Sequence, residues 1–272
     1  MVHSQNKILL IVEGKKTEPN LFEGFQKVRW NESKFEIIDI NTNIYALYQK
    51  IKKLNEDFYA DSTSTIEVLK EILESQNRYD DAQILNNKYP YIYLLFDFEY
   101  QDNHYDLNNK YTILNEMLNY FYDETENGLL LINYPMIESY RDCKEPLPDK
   151  NYINNYISTK DVSGGKYKEI VGNRGINKNV KSKFTIEMFE GLFFQNLIKT
   201  KMVIDGELTL PTYDEFMNYL EGIDVLEKQI SLISDKEVIA VLCTCLFIFV
   251  SYFGKDYYEN ILEKFKSFIT QQ

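Results

Sequence analysis

A chain of 272 residues with 44% hydrophobic content can bury a substantial core without disulfide or metal staples, as one large domain or two modest ones. Its net charge of −12 argues against a protein that coats nucleic acid by bulk electrostatics, because neutralising phosphates takes clustered Lys and Arg. Three cysteines, Cys143, Cys243 and Cys245, form an odd count without repeated C-x-x-C spacing, so neither a disulfide framework nor a cysteine zinc site is implied and a reduced, cytoplasmic setting fits.

The polar N-terminus runs into only five apolar residues before Glu13, so no secretory signal is expected. Residues 7–12 are a continuous aliphatic run, the pattern of a strand buried on both faces of a parallel sheet. Glu13 and Gly14 end it. Thr17, Glu18, Pro19 and Asn20 then read as a helix start, with Leu21, Phe22 and Phe25 at helical spacing. A second strand is predicted over 35–40. Helical stripes follow, at Ile44, Leu47, Tyr48, Ile51 and Leu54 and again at Ile66, Leu69, Ile72 and Leu73.

Residues 91–96 are a third apolar strand, which discharges into Asp97, Phe98, Glu99, Tyr100, Gln101 and Asp102. A helix over 111–121 and a fourth strand over 128–133 complete an alternation that implies right-handed βαβ crossovers and one four-stranded parallel sheet with flanking helices. A soft boundary near residue 150 separates this α/β unit, residues 1–150, from residues 151–272. The second part is expected to be a glycine-containing basic loop followed by mainly helical structure. Between positions 160 and 201 nine basic residues face four acidic ones. The apolar run 238–253 is shorter than the roughly 20 residues that cross a bilayer and contains Thr244 and Ser251, so it is read as a buried helix and no membrane association is expected.

In parallel α/β sheets ligands bind beyond the carboxyl ends of the strands. Glu13, the Asp97 and Glu99 pair and Glu138 all lie at or just past such ends. On an extended strand residues i and i+2 point the same way, which would project Asp97 and Glu99 from one face with Phe98 on the other. Hard cations such as Mg²⁺ usually bind through one or two carboxylates plus water and substrate phosphate, so Glu13, Asp97 and Glu99 are the expected metal and catalytic residues.

Ile11-Val12-Glu13-Gly14, then Thr17-Glu18-Pro19-Asn20-Leu21-Phe22, then Phe96-Asp97-Phe98-Glu99, resemble the TOPRIM domain in its RloB-like branch, which includes AbiL-type abortive-infection proteins of phage defence. Asn133-Tyr134-Pro135-Met136-Ile137-Glu138 resembles the later N-P-x-x-E stretch of that branch, and the likeness covers about the first half of the chain. It implies a TOPRIM-like fold and metal-dependent phosphodiester chemistry: a nuclease in which Glu13 is general acid or base and the carboxylates of a D-x-D pair hold Mg²⁺ or Mn²⁺. Glu99 stands where that pair has its second aspartate, which leaves Asp102 as a further candidate ligand. The resemblance also implies a toxic effector working with an ABC-type ATPase partner; the chain itself has no G-x-x-x-x-G-K-[ST] motif, so any nucleotide-driven control is expected from another polypeptide.

Candidate substrate contacts are Lys15 and Lys16, in the turn that opens the first helix, Glu138, and Lys166, Lys168 and Arg174 in the basic stretch, where Lys and Arg would track the phosphates of RNA or DNA. His3 and His104 cannot make a zinc site without carboxylate help. Cys243 and Cys245 lie in an apolar run and read as core. The 22 Tyr and 17 Phe read mostly as packing, with Tyr100 and Tyr134 placed where stacking on a base is conceivable. The competing function is a non-catalytic binding or regulatory subunit of the same fold. A topoisomerase- or primase-like activity would need further domains or a positioned nucleophilic tyrosine.

Overall fold

Five aliphatic side chains in a row leave no polar face, and Ile8–Val12, strand β1, is buried at every position. The computed structural model describes residues 7–29, 35–54, 64–176 and 184–270, and the statements below concern these residues. His3 and the basic residues Lys178, Lys181 and Lys183 lie outside them. Helix α1 (Thr17–Arg29) follows β1, then β2 (Phe35–Asp39), α2 (Ile44–Leu54), α3 (Thr65–Ser75), α4 (Tyr79–Ile84) and β3 (Tyr91–Asp97). Helix α5 (Leu107–Tyr120) leads to β4 (Tyr122–Asp123), β5 (Gly128–Asn133) and a 3-10 turn at Ile137–Arg141.

The sheet runs β2-β1-β3-β5-β4. Its first four strands are parallel, with Val12 beside both Asp39 and Leu95, and Asp97 beside Asn133. The expected purely parallel four-stranded sheet is therefore corrected to a mixed five-stranded one: β4 adds an antiparallel edge, Tyr122 against Leu129 and Asp123 against Gly128. A two-residue strand is too short to leave a periodic signal.

The second half comprises α6 (Lys150–Ile153), β6 (Tyr156–Ser158), α7 (Thr159–Ser163), α8 (Tyr167–Arg174), α9 (Ile186–Asp205), α10 (Tyr213–Glu221), α11 (Ile223–Lys236), β7 (Val238–Ala240), a 3-10 turn at Thr244–Leu246, α12 (Phe247–Phe253), α13 (Lys255–Phe265) and α14 (Ser267–Thr270). Two expectations change here. The basic stretch is not a loop where it is described: Ser158 caps α7 by accepting from the Asp161 N–H, and α8 ends at Gly175. The apolar run 238–253 is not one helix but a strand, a 3-10 turn and α12; β7 pairs antiparallel with β6, Ile157 beside Ile239. It is buried nearly throughout, as its composition demands. No helix among the described residues is long and apolar enough to cross a membrane.

That run closes the core against the first half. Phe249 of α12 packs on Phe22 of α1, ring centroids 5.3 Å apart, and Phe189 of α9 meets Phe25 of α1 at 4.7 Å. Tyr134 and Leu242 exchange backbone hydrogen bonds of 2.8 Å in both directions, and the Thr244 hydroxyl donates to the Ile132 carbonyl at 2.8 Å.

Candidate functional site

The parallel register puts the ends of β1 and β3 side by side, so Glu13, just past β1, faces Asp97, the last residue of β3. One carboxylate oxygen from each of Glu13, Asp97 and Glu99 lies within 4.8 Å of the others. Glu13 Oε2 accepts from the Asp97 N–H at 3.4 Å, and Asp97 Oδ1 accepts from the Ile137 N–H at 2.7 Å, which ties the 3-10 turn after β5 to the centre.

Glu99 reaches this cluster by a different route from strand alternation. The strand ends at Asp97, and Glu99 has φ of 49°, in the left-handed region that non-glycine residues enter at a cost. The turn is held by Lys110 of α5, a buried lysine whose Nζ donates to the carbonyls of Glu99 at 3.1 Å and Tyr100 at 2.6 Å, with the Tyr45 and Tyr100 rings beside it. Burial lowers the Lys110 pKa, against the pull of Asp102 and Glu99. Gln101 Nε2 donates to Glu99 Oε2 at 2.8 Å and fixes its carboxylate.

Three carboxylates this close in a low dielectric resist ionising together. Burial, then repulsion from Glu99, pushes Glu13 up to about 8. Asp97 is held well above the usual carboxylate range by burial and then by Glu13, and burial raises Glu99 as well.

A second rank of acids stands behind the first. Glu18, in the first turn of α1, is 4% exposed, and burial raises it to about 6, with Glu138 adding repulsion. Glu138, also buried, lies 3.7 Å from the ammonium of Lys168, while its Oε2 has no hydrogen-bond partner. Lys168, reaching across from α8, also draws down Glu13, Glu18 and Glu99. Four carboxylates, Glu13, Glu18, Glu99 and Glu138, thus share one lysine.

The remaining expected residues separate. Lys15 and Lys16 are exposed in the turn between β1 and α1, and Lys166 is exposed at the start of α8. Arg174 is not free for phosphate: its Nε and Nη2 donate to the two oxygens of fully buried Asp142, each at 2.7 Å. Asp102 is not among the three clustered acids and accepts from the His104 N–H at 2.8 Å. Tyr134 is buried against Phe98 at 5.2 Å and has no face for a base, and Tyr100 stacks on Phe98 at 6.3 Å. The basic excess around α7 and α8 is met by acids from elsewhere, Lys160 by Glu237, Lys168 by Glu138 and Arg174 by Asp142.

Glu18 and Lys110 are the site residues that sequence reasoning missed. In the sequence Glu18 reads as part of the helix start and of the stretch that carries the resemblance, with no role in the site. Lys110 did leave a signal: it precedes Ile113, Leu114, Met117 and Leu118 at helical spacing on the buried stripe of α5, where an unpaired lysine would not be tolerated.

Comparison with protein-family models, with curated proteins and with solved structures found no match to this chain. The donor set itself is informative: all oxygen, anionic and converging from three backbone positions, it suits a hard divalent cation.

Proposed function

We propose that this protein is a metal-dependent nuclease of the TOPRIM type, hydrolysing phosphodiester bonds of RNA or DNA with Mg²⁺ or Mn²⁺ held by Glu13, Asp97 and Glu99. The observation that carries the reading is the convergence of these three carboxylates within 4.8 Å at and just past the ends of adjacent parallel strands, with Glu13 and Asp97 raised by burial and by repulsion among the carboxylates. A bound divalent cation would supply charge neutralisation, polarisation of a phosphoryl oxygen and a more acidic water.

The chain's own groups divide the remaining work. Glu13, with a pKa of about 8 before any cation binds, is suited to hold or pass a proton near neutral pH. Asp97 is oriented by the Ile137 N–H and Glu99 by Gln101. The exposed ammonium groups of Lys15, Lys16 and Lys166 are available to steer a polyanion towards an otherwise acidic surface. By its resemblance to RloB-like and AbiL-type proteins, the activity would be that of a toxic effector in phage defence, controlled by an ABC-type ATPase.

The test is incubation of the purified protein with total RNA and with single- and double-stranded DNA, in Mg²⁺, Mn²⁺ or EDTA, alone and with its neighbouring gene product. Cleavage that needs the cation and disappears in Glu13→Gln and Asp97→Asn is the expected result. Cation and nucleic-acid binding without cleavage in any combination would instead mark a non-catalytic binding subunit.

A further inference from the structure

The 3-10 turn Ile137–Arg141 packs against α1 and α8, and its seam with α8 is lined with charge. Two of the cations there have partners. Lys168 sits 3.7 Å from Glu138, and Arg174 makes a two-pronged bond to Asp142, whose Oδ2 also accepts from the Tyr167 hydroxyl at 3.1 Å. The side chain of Arg141, between Glu138 and Asp142 in sequence, has none among the described residues. The residue is 3% exposed, its side chain makes no hydrogen bond or ion pair among the described residues, and its Nη2 is enclosed without an acceptor.

The backbone of Arg141 is firmly placed. Its carbonyl accepts from the Ile176 N–H at 2.9 Å, and Gly175 approaches that carbonyl so closely that a Cβ would overlap it. The turn also donates the Ile137 N–H to Asp97, so Arg141 belongs to the short segment that supports the acidic centre. In a 3-10 turn residues three apart eclipse, which stacks Arg141 about 6 Å along from Glu138 at roughly 2 Å rise per residue.

A guanidinium keeps its proton even when buried, and burying it without acceptors is costly. Its planar fork matches two oxygens of a phosphate group. Asp142 is already saturated, and Glu138 makes no ion pair with Arg141 among the described residues. We propose that Arg141 is the anion-binding residue of the acidic site, taking a phosphate group of the ligand on its guanidinium while Glu13, Asp97 and Glu99 hold the cation. The inference rests on the phosphodiester reading for the molecule that carries the phosphate, though not for phosphate binding itself. Access requires α8 to part from the turn at its Lys168 edge, where the Lys168–Glu138 contact is one long ion pair with a 64% exposed lysine side chain, of little strength, and the Tyr167 and Arg174 bonds to Asp142 oppose that opening.

The test uses the full-length chain and inorganic phosphate, titrated calorimetrically in EDTA at constant ionic strength with chloride as the control. The parent should bind phosphate, and R141M should bind it about tenfold or more weakly. Without phosphate, R141M should melt at the parent's temperature or higher, because an unpaired buried charge has been removed. An arginine satisfied by enclosed water gives the opposite pattern, a lower melting temperature and no response to phosphate in either protein. That result, or R141M binding phosphate as the parent does, overturns the proposal. R141K keeps the charge without the fork and should bind more weakly than the parent; if R141M does not fold, unchanged phosphate affinity in R141K overturns the proposal equally. A Mg²⁺ titration of the same preparations separates the two readings. A parent that binds Mg²⁺ but not phosphate refutes the role of Arg141 alone, and one that binds phosphate but not Mg²⁺ refutes the cation site alone.

Discussion

Glu13 is where the acidic centre is most easily interrogated, because its carboxyl titrates near 4.5 in an ordinary setting and near 8 in the cation-free fold. Across that interval the folded protein keeps a proton that the unfolded chain has released. The stability contributed by this group is therefore full below about 4.5 and is lost as the pH rises through about 8. Calorimetry in EDTA should give a lower melting temperature at about pH 8.5 than at about pH 6, and Mg²⁺ should restore more stability at the higher pH, where no proton has to be displaced. Glu13→Gln should flatten this pH dependence. Both Glu13→Gln and Asp97→Asn should melt at or above the parent in EDTA, since each removes a charge that burial and neighbouring carboxylates oppose, and both should lose the stabilisation by Mg²⁺. A parent whose melting temperature is indifferent to Mg²⁺ at both pH values would remove the cation from the account.

Among the elements, the turn after β3 is the one that geometry had to supply. Lys110→Met should leave the Glu99 and Tyr100 carbonyls without their donor, at a cost of about 2 to 4 kcal/mol in a urea titration, and should weaken Mg²⁺ binding by loosening Glu99. Unchanged Mg²⁺ affinity in a destabilised Lys110→Met would show that the turn holds without this lysine. Residues 8–12, 35–39, 91–97 and 128–133 were readable as strands because a doubly covered parallel strand needs apolar residues at nearly every position, and the acids at their ends were readable because strand ends open onto the ligand face. Glu99 was located correctly beside Asp97 for the wrong reason, since residue identity does not disclose a left-handed backbone. The run 238–253 misled because an unbroken apolar stretch fits a buried strand, a 3-10 turn and a helix equally well. The glycines of the 160s and 170s suggested a loop, yet Gly164 and Gly175 follow the last residues of α7 and α8 and stop those helices.

At the scale of the whole molecule, the acidic centre depends on residues more than a hundred positions away. The 3-10 turn that carries Glu138 and supports Asp97 is itself anchored by the Ser139 hydroxyl, which donates to the Leu242 carbonyl at 3.0 Å. Asn133, beside Asp97 in the sheet, accepts on its side chain from the Cys245 N–H at 3.3 Å, and Asn196 Oδ1 accepts from the Cys243 N–H at 2.8 Å and the Tyr152 hydroxyl at 2.5 Å. These bonds are buried, so breaking them leaves polar groups without water, and the ring contacts of Phe22 and Phe25 with Phe249 and Phe189 would be lost at the same time. A fragment ending at residue 150 would expose one face of its sheet and lose the anchor of Ser139. It is therefore expected to stay unfolded or aggregate, and the full chain is expected to unfold in urea as one transition, with far-ultraviolet and tyrosine near-ultraviolet dichroism superimposing. Two separated transitions, or a 1–150 fragment with a dispersed amide spectrum that still binds Mg²⁺, would mean that the first half builds the site alone. In the single-transition case, a substitution at Leu242 or Cys245 that perturbs packing should weaken Mg²⁺ binding at Glu13 and Asp97 without touching either carboxylate, because the coupling runs through Ser139 and Asn133 to the turn and strand that hold Asp97.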